Sequence, residues 1–435
     1  MNRNTASFEL PIEDLYFIKL KLLNWSNQFS ISVFLDSNQY QHFPNYQRFE
    51  CLAAVQPLRI YTPIENSNFL PSIKEAHSMH PDWLFGHLNY DFKNQLHHSL
   101  ASNQLSHFNF PEGCFFCPET VCYIKTNESV LTIETFQDPN TIFQQLLQQQ
   151  IKYTNASLPS IKFEKRINQT NYYKKIEALR NHIKDGDCYE INFCNEGFAH
   201  QVDIHPLIVF QKLNELAPAP YAAFYKHQDQ YMSCASPERF LYKDMDKIVS
   251  QPIKGTAKRS KDKALDELYK LELKNSKKDQ AENVMIVDLT RNDLAHTCDI
   301  GSISVEELYG IYSFPSVHQM ISTISGTLPT PTSILDVLQH TFPMGSMTGA
   351  PKKKVMELIE QYECSKRELY SGTIGYITPS GDADFNVIIR SLFYNATTKY
   401  LSYHTGGAIT YDSTSASEWE ETVLKAYNLE KIFNS

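Results

Sequence analysis

Glycine is scarce in this chain, at 15 of 435 residues, about half the usual share. Glycine marks points where a backbone turns sharply or approaches a ligand closely. Thirteen of the 15 lie at or beyond Gly186, which places the expected chemistry in the C-terminal part. No run of 18 apolar residues occurs, so no transmembrane helix is expected. Positive charge is not in excess: 40 basic against 49 acidic side chains give a net charge of −9. That balance argues against binding nucleic acid by bulk charge. The start, MNRNTASFELPIEDLY, has no basic stretch followed by an apolar one, so no secretory signal is expected. The nine cysteines are an odd number, thinly spread, and read as reduced thiols of a cytoplasmic protein. Cys114-x2-Cys117, with Cys122 and His107 nearby, lacks a second ligand pair at zinc-finger spacing. It reads as a strand carrying small apolar thiols.

What is present is an ordinary globular balance, 42% hydrophobic and 20% charged, ample for a sizeable core. The length allows two or three domains or one large one. The first part carries β-like runs at 29–35, 49–55, 83–92 and around 121–125, then a helix pattern over 143–151 and a linker at 155–160. This divides the chain into 1–155 and 156–435, with sheets shared between the two. Beyond the linker the pattern predicts a helix over 171–184 that stops at Asp185-Gly186. Strands follow at 188–198 and 231–242, then one long helix over 261–287 and further helices over 352–364 and 418–433. No βαβ rhythm appears, so the fold class is α+β, with antiparallel sheets and helices outside them.

Two acidic pairs, Asp279-x-x-Glu282 and Glu418-x-x-Glu421, have the i,i+3 spacing that puts both carboxylates on one helix face. Two such faces meeting would make an oxygen-rich cage for magnesium, although acids at helix starts are also ordinary surface residues. Gln251-Pro-Ile-Lys254-Gly255-Thr256 sets a lysine beside a glycine and a hydroxyl. A lysine in a tight apolar turn can act as a nucleophile. Glu238, in Ser236-Pro-Glu238-Arg239, can serve as acid or base if buried. The run 342–352, FPMGSMTGAPK, is a Gly/Ser/Thr turn entering a helix whose free N–H groups suit a carboxylate or phosphate. It is not a Walker A loop. Arg390, within an apolar run read as a strand over 386–393, needs an anion partner. Gly406-Gly407 permits close approach of a ligand.

Taken in order, these segments resemble the blocks of the chorismate-utilising enzymes: GDCYEINF (186–193), SPERFL (236–241), PIKGT (252–256), AENVMIVDLTRNDL (281–294), VHQMISTISG (317–326), FPMGSMTGAPK (342–352), YSGTIGYI (370–377), DFNVIIRSL (384–392) and GGAITYDSTSASEWEETVLKA (406–426). The N-terminal runs FPNYQRFECLAA and HLNYDFKN resemble the first half of component I of the amine-transferring members. The resemblance implies two facing antiparallel sheets with outer helices and an active site between them. It implies that Glu282 and Glu421 ligate magnesium, with Asp279 and Glu418 beside them. Tyr370, Arg390 and Gly406, with Gly407, would hold the substrate, and Gly255 and Thr256 would line the same pocket. His318 would be the active-site histidine near the ring, with a catalytic role.

Within that family, Lys254 marks the branch that aminates chorismate at C4 to give 4-amino-4-deoxychorismate, because anthranilate-forming relatives usually carry alanine there. Lys254 would attack C2, Glu238 would assist departure of the 4-hydroxyl, and ammonia would then displace the lysine. That role predicts a depressed lysine pKa, through burial or nearby positive charge. Isochorismate-forming relatives activate water with a lysine where this chain has Glu190, so water activation is not expected. Glu190 stands where most amine-using relatives carry glutamine, and Ala408 where a third glycine is common. No Gly-x-Cys-x-Gly nucleophile segment is present, so a glutamine amidotransferase subunit is expected to supply ammonia. A separate enzyme would convert the product to 4-aminobenzoate for folate synthesis. The competing readings are an anthranilate-forming component I, disfavoured by Lys254, and a non-catalytic regulatory subunit, disfavoured by retention of both acid pairs, Lys254 and Arg390.

Overall fold

The computed structural model describes residues 3–40, 46–63, 68–97, 100–151, 157–315 and 317–434. Two antiparallel ladders grow from one shared strand, Gly113–Lys125. The first runs through Phe49–Tyr61, Ile31–Asp36, Tyr221–His227, Gln230–Ser236, Ser391–Asn395 and Tyr400–Ile409 to Glu190–Ala199. The second runs through Leu84–Leu88, Thr373–Ile377, Ala383–Asn386, Arg239–Asp244 and Lys247–Gln251 to Val317–Thr327. That last strand also pairs with Ile253–Lys258 and Ser304–Ser313. Helices lie outside, and the architecture is α+β.

The period-2 alternation of a strand explains why the first ladder has two buried faces. Val33, Leu52, Ala54 and Tyr225 point into a core shared with Phe85, Leu241, Ile374 and Phe385 of the second ladder. Their neighbours Phe34, Ala53, Val55 and Phe224 point the other way, into a second core with Leu22, Trp25 and Phe210 of flanking helices. Each such fully buried large side chain contributes about 1.5–3 kcal/mol. Strands of the first 155 residues therefore pair with strands from the rest of the chain, and the two regions share their sheets. Residues 155 and 156, at the expected boundary, lie outside the described residues.

Three local readings need correction. The helix expected over 261–287 is two, Lys263–Asn275 and Lys277–Ala295. Ser276 leaves helical geometry and caps the second, its Oγ accepting from the Asp279 N–H at 3.3 Å, as an N-cap serine does. The strand expected over 231–242 is broken at Pro237-Glu238. The strand expected over 386–393 is broken before Ser391, where Arg390 adopts φ 54°. Cys114, Cys117 and Cys122 lie buried on one strand, with no disulfide among the cysteines. No described helix is long and apolar enough to cross a membrane.

Candidate active site

The far ends of the two ladders meet. One carries Glu190, Gly406 and Gly407 on paired strands. The other carries Lys254, Gly255 and Thr256, paired along Val317–Thr327. Lys254 bridges them, donating from Nζ to Glu190 Oε1 at 2.5 Å. Both side chains are buried, 9% and 1% exposed. The backbone of Glu190 is fixed by the turn 342–352. Gly349 and Ala350 pair with Ile191 and Glu190, and Gly349 has φ 137°, where a Cβ would sit 2.1 Å from the Glu190 carbonyl oxygen. Buried Arg367 ties the same turn to the strand, donating to Met347 O, Asn192 O and Glu363.

The two acid pairs come in on separate helices. Asp279 and Glu282 sit on Lys277–Ala295, which packs against Ile253–Lys258. The approach is close enough that a Cβ on Gly255, at φ 91°, would lie 2.9 Å from Asp279 Oδ1. Glu418 and Glu421 sit on Ser415–Lys431, begun by a Thr414 cap. A Cβ on Gly407 would lie 3.0 Å from Glu418 Oε2 and 3.2 Å from Glu421 Oε1. Glycines thus let both helices press carboxylates onto the strand ends.

Lysines balance this charge. Lys278 stands 3.8 Å from Glu282, and Lys425 2.5 Å from Glu421. Lys425 also donates to Gly406 O at 2.8 Å. Lys254 and Lys278 lie near enough to act on both Glu282 and Glu421, so the two acidic faces converge on one space. Burial pushes Glu282 up to about 7 against the pull of Lys254 and Lys278. Burial and the neighbouring Glu421 raise Glu418. Glu421 is also driven up by burial, but Lys425, Lys254 and Lys278 outweigh it and its carboxyl ends below the ordinary range. Among the described residues, no three His, Cys, Asp or Glu side chains stand close enough together to grip an ion. The four side chains are nevertheless the carboxylate type of donor that a hard cation takes, and Glu418 Oε2 is buried and unpartnered.

Lys254 overturns one expectation. Burial alone would lower its pKa, but Glu190, Glu282 and Glu238 outweigh burial and raise it. Three acidic side chains from three different segments face the lysine and favour its ammonium form. Lys258 and Arg259, the positive neighbours in sequence, do not set its charge. Glu238 is buried, and burial lifts its carboxyl to about 7 against the Ser346 hydroxyl and Lys254.

Arg390 is partly buried, and its guanidinium donates to the Lys425 carbonyl at 3.1 Å. Among the described residues no carboxylate lies within ion-pair reach of it. Tyr370 and Glu421 are near enough to oppose the effect of burial on its charge. Tyr370 is buried, stacked on His404 with ring centroids 5.2 Å apart. Thr256 is exposed and opposite Gln319. His318 is engaged differently: Nε2 lies 3.1 Å from Asp266 Oδ1 and Nδ1 2.8 Å from Ser313 Oγ. None of the lysines or acids of the cluster is among those partners. Sequence reasoning did not connect Glu190 to Lys254, and it missed Lys278 and Lys425. The lysines had a signal, since each lies four residues from an acid of its pair, on a shared helix face.

The family model of chorismate binding enzymes matches residues 32–431. The chloroplastic aminodeoxychorismate synthase of Arabidopsis thaliana is 35% identical over 339 residues, covering 73% of this chain and 37% of that protein. Aminodeoxychorismate synthase component 1 of Klebsiella aerogenes is 37% identical over 259 residues, 60% of this chain and 57% of that one. The alignments thus cover between about a third and about three fifths of these curated relatives. Among solved structures, anthranilate synthase component I from Streptococcus pneumoniae superposes with a TM-score of 0.77 at 23% identity, over 88% of this chain and 92% of that one. The menaquinone-specific isochorismate synthase of Escherichia coli gives 0.78 at 16% identity, over 99% and 94%. These two establish the shared fold, and the family match spans nearly the whole chain. The chain belongs to the chorismate-binding enzyme family.

Proposed function

We propose that this chain is a component I that aminates chorismate at C4 with ammonia, giving 4-amino-4-deoxychorismate for 4-aminobenzoate and folate synthesis. The observation that carries the reading is Lys254, buried among Glu190, Glu238 and Glu282 where the two ladders meet. The similarity to aminodeoxychorismate synthases supports the same branch. Arg390, a guanidinium without a carboxylate partner among the described residues, and the Tyr370 hydroxyl would bind the enolpyruvyl carboxylate. Glu282 and Glu421, supported by Asp279 and Glu418, would hold magnesium. The ion would supply positive charge for the ring carboxylate, in the space where Lys278 and Lys425 now balance the acids.

Lys254 would add to C2 while Glu238, whose buried carboxyl is lifted to about 7, gives its proton to the departing 4-hydroxyl. Ammonia would then add at C4 and release the lysine. We assign ammonia delivery to a separate glutamine amidotransferase subunit, and the reduced cysteines fit a cytoplasmic setting. His318, tied to Asp266 and Ser313, would orient the strand edge near the ring and take no proton from substrate.

The test is product analysis of the purified chain with chorismate, magnesium and an ammonium salt. The expected product is 4-amino-4-deoxychorismate, with no turnover when glutamine replaces ammonium. Anthranilate as the main product would reassign the chain to the C2-aminating branch. Glutamine-dependent turnover by the chain alone would remove the partner.

A further inference from the structure

Lys254 has one ion-pair partner among the described residues, and it is Glu190. The two residues are 64 positions apart and belong to different ladders, so their contact exists only because the strand ends meet. Glu190 is 1% exposed, and its backbone is pinned against Gly349–Ala350. Oε1 accepts a hydrogen bond from the Lys254 ammonium at 2.5 Å, whereas Oε2 is buried with no hydrogen-bond partner. A buried carboxylate oxygen without a donor is costly, and this one leaves Glu190 an open site for a proton. Glu238 and Glu282 also face Lys254 electrostatically but make no ion pair with it, and Glu282 is engaged by Lys278.

We propose that Glu190 is the positioning residue of Lys254, aligning the amine and taking its proton as the amine attacks carbon. The proposal rests on the reading of Lys254 as nucleophile. In the first step an N–H bond of Lys254 breaks and an O–H bond forms on Glu190. The freed electron pair makes the N–C2 bond, the ring double bonds shift, and the C4–O bond breaks. The hydroxyl takes the Glu238 proton and leaves as water. In the second step ammonia forms the N–C4 bond, the double bonds shift back, and the C2–N electron pair returns to Lys254. Glu238 then takes the surplus proton from the new C4 ammonium, and Glu190 returns its proton to the lysine. Both acids and the lysine end as they began.

The experiment follows the covalent adduct by intact mass, using the full chain with chorismate and magnesium and no ammonia, across a pH series. Glu190→Gln keeps the shape of the side chain and removes the proton acceptor. At neutral pH its adduct should form about 100-fold more slowly than in wild type, the size of a general-base contribution. The rate should recover as pH rises, because the lysine, still faced by Glu282 and Glu238, must then lose its proton to solvent, while KM for chorismate stays within about twofold, as expected when only a transition-state contribution is lost. Glu190→Asp, which keeps a carboxylate, should restore part of the neutral rate. Wild-type adduct rates in Glu190→Gln at every pH would overturn the proposal. So would a slow rate without recovery at alkaline pH, which is what a purely structural defect gives. If wild type forms no adduct and Lys254→Ala turns over normally, the nucleophile reading fails and this proposal falls with it. Adduct in wild type with an unaffected Glu190→Gln removes the proposal alone.

Discussion

Replacing Glu238 with glutamine should stabilise the fold at alkaline pH and abolish turnover. Glu238 is 4% exposed. Burial moves it from 4.5 to about 7, although the Ser346 hydroxyl, Lys254 and the Ile253 backbone N–H pull the other way. Each pKa unit is worth about 1.4 kcal/mol, so that interval corresponds to at most about 3.5 kcal/mol. Below 4.5 the group is protonated in both folded and unfolded chains and costs nothing. Between 4.5 and about 7 the unfolded chain releases its proton while the folded chain keeps it, so wild-type stability falls as pH rises. Above that range both states are ionised and the cost is complete. Glutamine is neutral throughout, and its carbonyl can accept from Ser346 and Ile253. Urea unfolding followed by tryptophan fluorescence should therefore give similar stabilities in acid and a gain approaching about 3.5 kcal/mol for the variant at alkaline pH. Its amination rate with ammonium should drop by about 100-fold or more. Equal stabilities at both pH values would refute the burial argument. An active variant would remove Glu238 as the acid.

Glu282→Gln and Glu421→Gln should each raise the magnesium needed for half-maximal activity by more than the roughly 10–100-fold typical of supporting residues, with the fold intact. A magnesium titration of turnover checks this, and an unaltered requirement in either variant excludes that carboxylate from the metal. Arg390→Gln should raise KM for chorismate about 30-fold, the loss of a charge-assisted contact of about 2 kcal/mol, read from steady-state kinetics. A KM within twofold would place the substrate carboxylate elsewhere. Gly255→Ala should destabilise the fold by about 1–3 kcal/mol, because φ is 91° and the new Cβ would meet Asp279 Oδ1 at 2.9 Å. Urea unfolding measures it, and a magnesium titration should show weaker binding, since the contact is with a carboxylate of the cluster.

Much of the site is readable along the chain because it depends on neighbours a few residues away. The i,i+3 spacing of Asp279 with Glu282, and of Glu418 with Glu421, is fixed by helical periodicity, and both pairs do lie in helices. The scarcity of glycine points to the right places as well, since Gly255 and Gly407 are where helices press acids onto strand ends. Other features depend on residues far apart in sequence. The break at Ser276 was hidden because charged helical spacing continues through it, and the side-chain cap that ends one helix and starts the next shows only in three dimensions. The left-handed backbone of Arg390 is imposed where one strand stops and the next begins, and an apolar run does not reveal it. The charge of Lys254 is the clearest case. Burial, which the apolar context of its segment suggests, favours a neutral amine. The outcome is the reverse, because Glu190, Glu238 and Glu282 arrive from three separate segments. Local pattern sets which face a side chain occupies, whereas protonation is set by whatever charges long-range strand pairing brings alongside it.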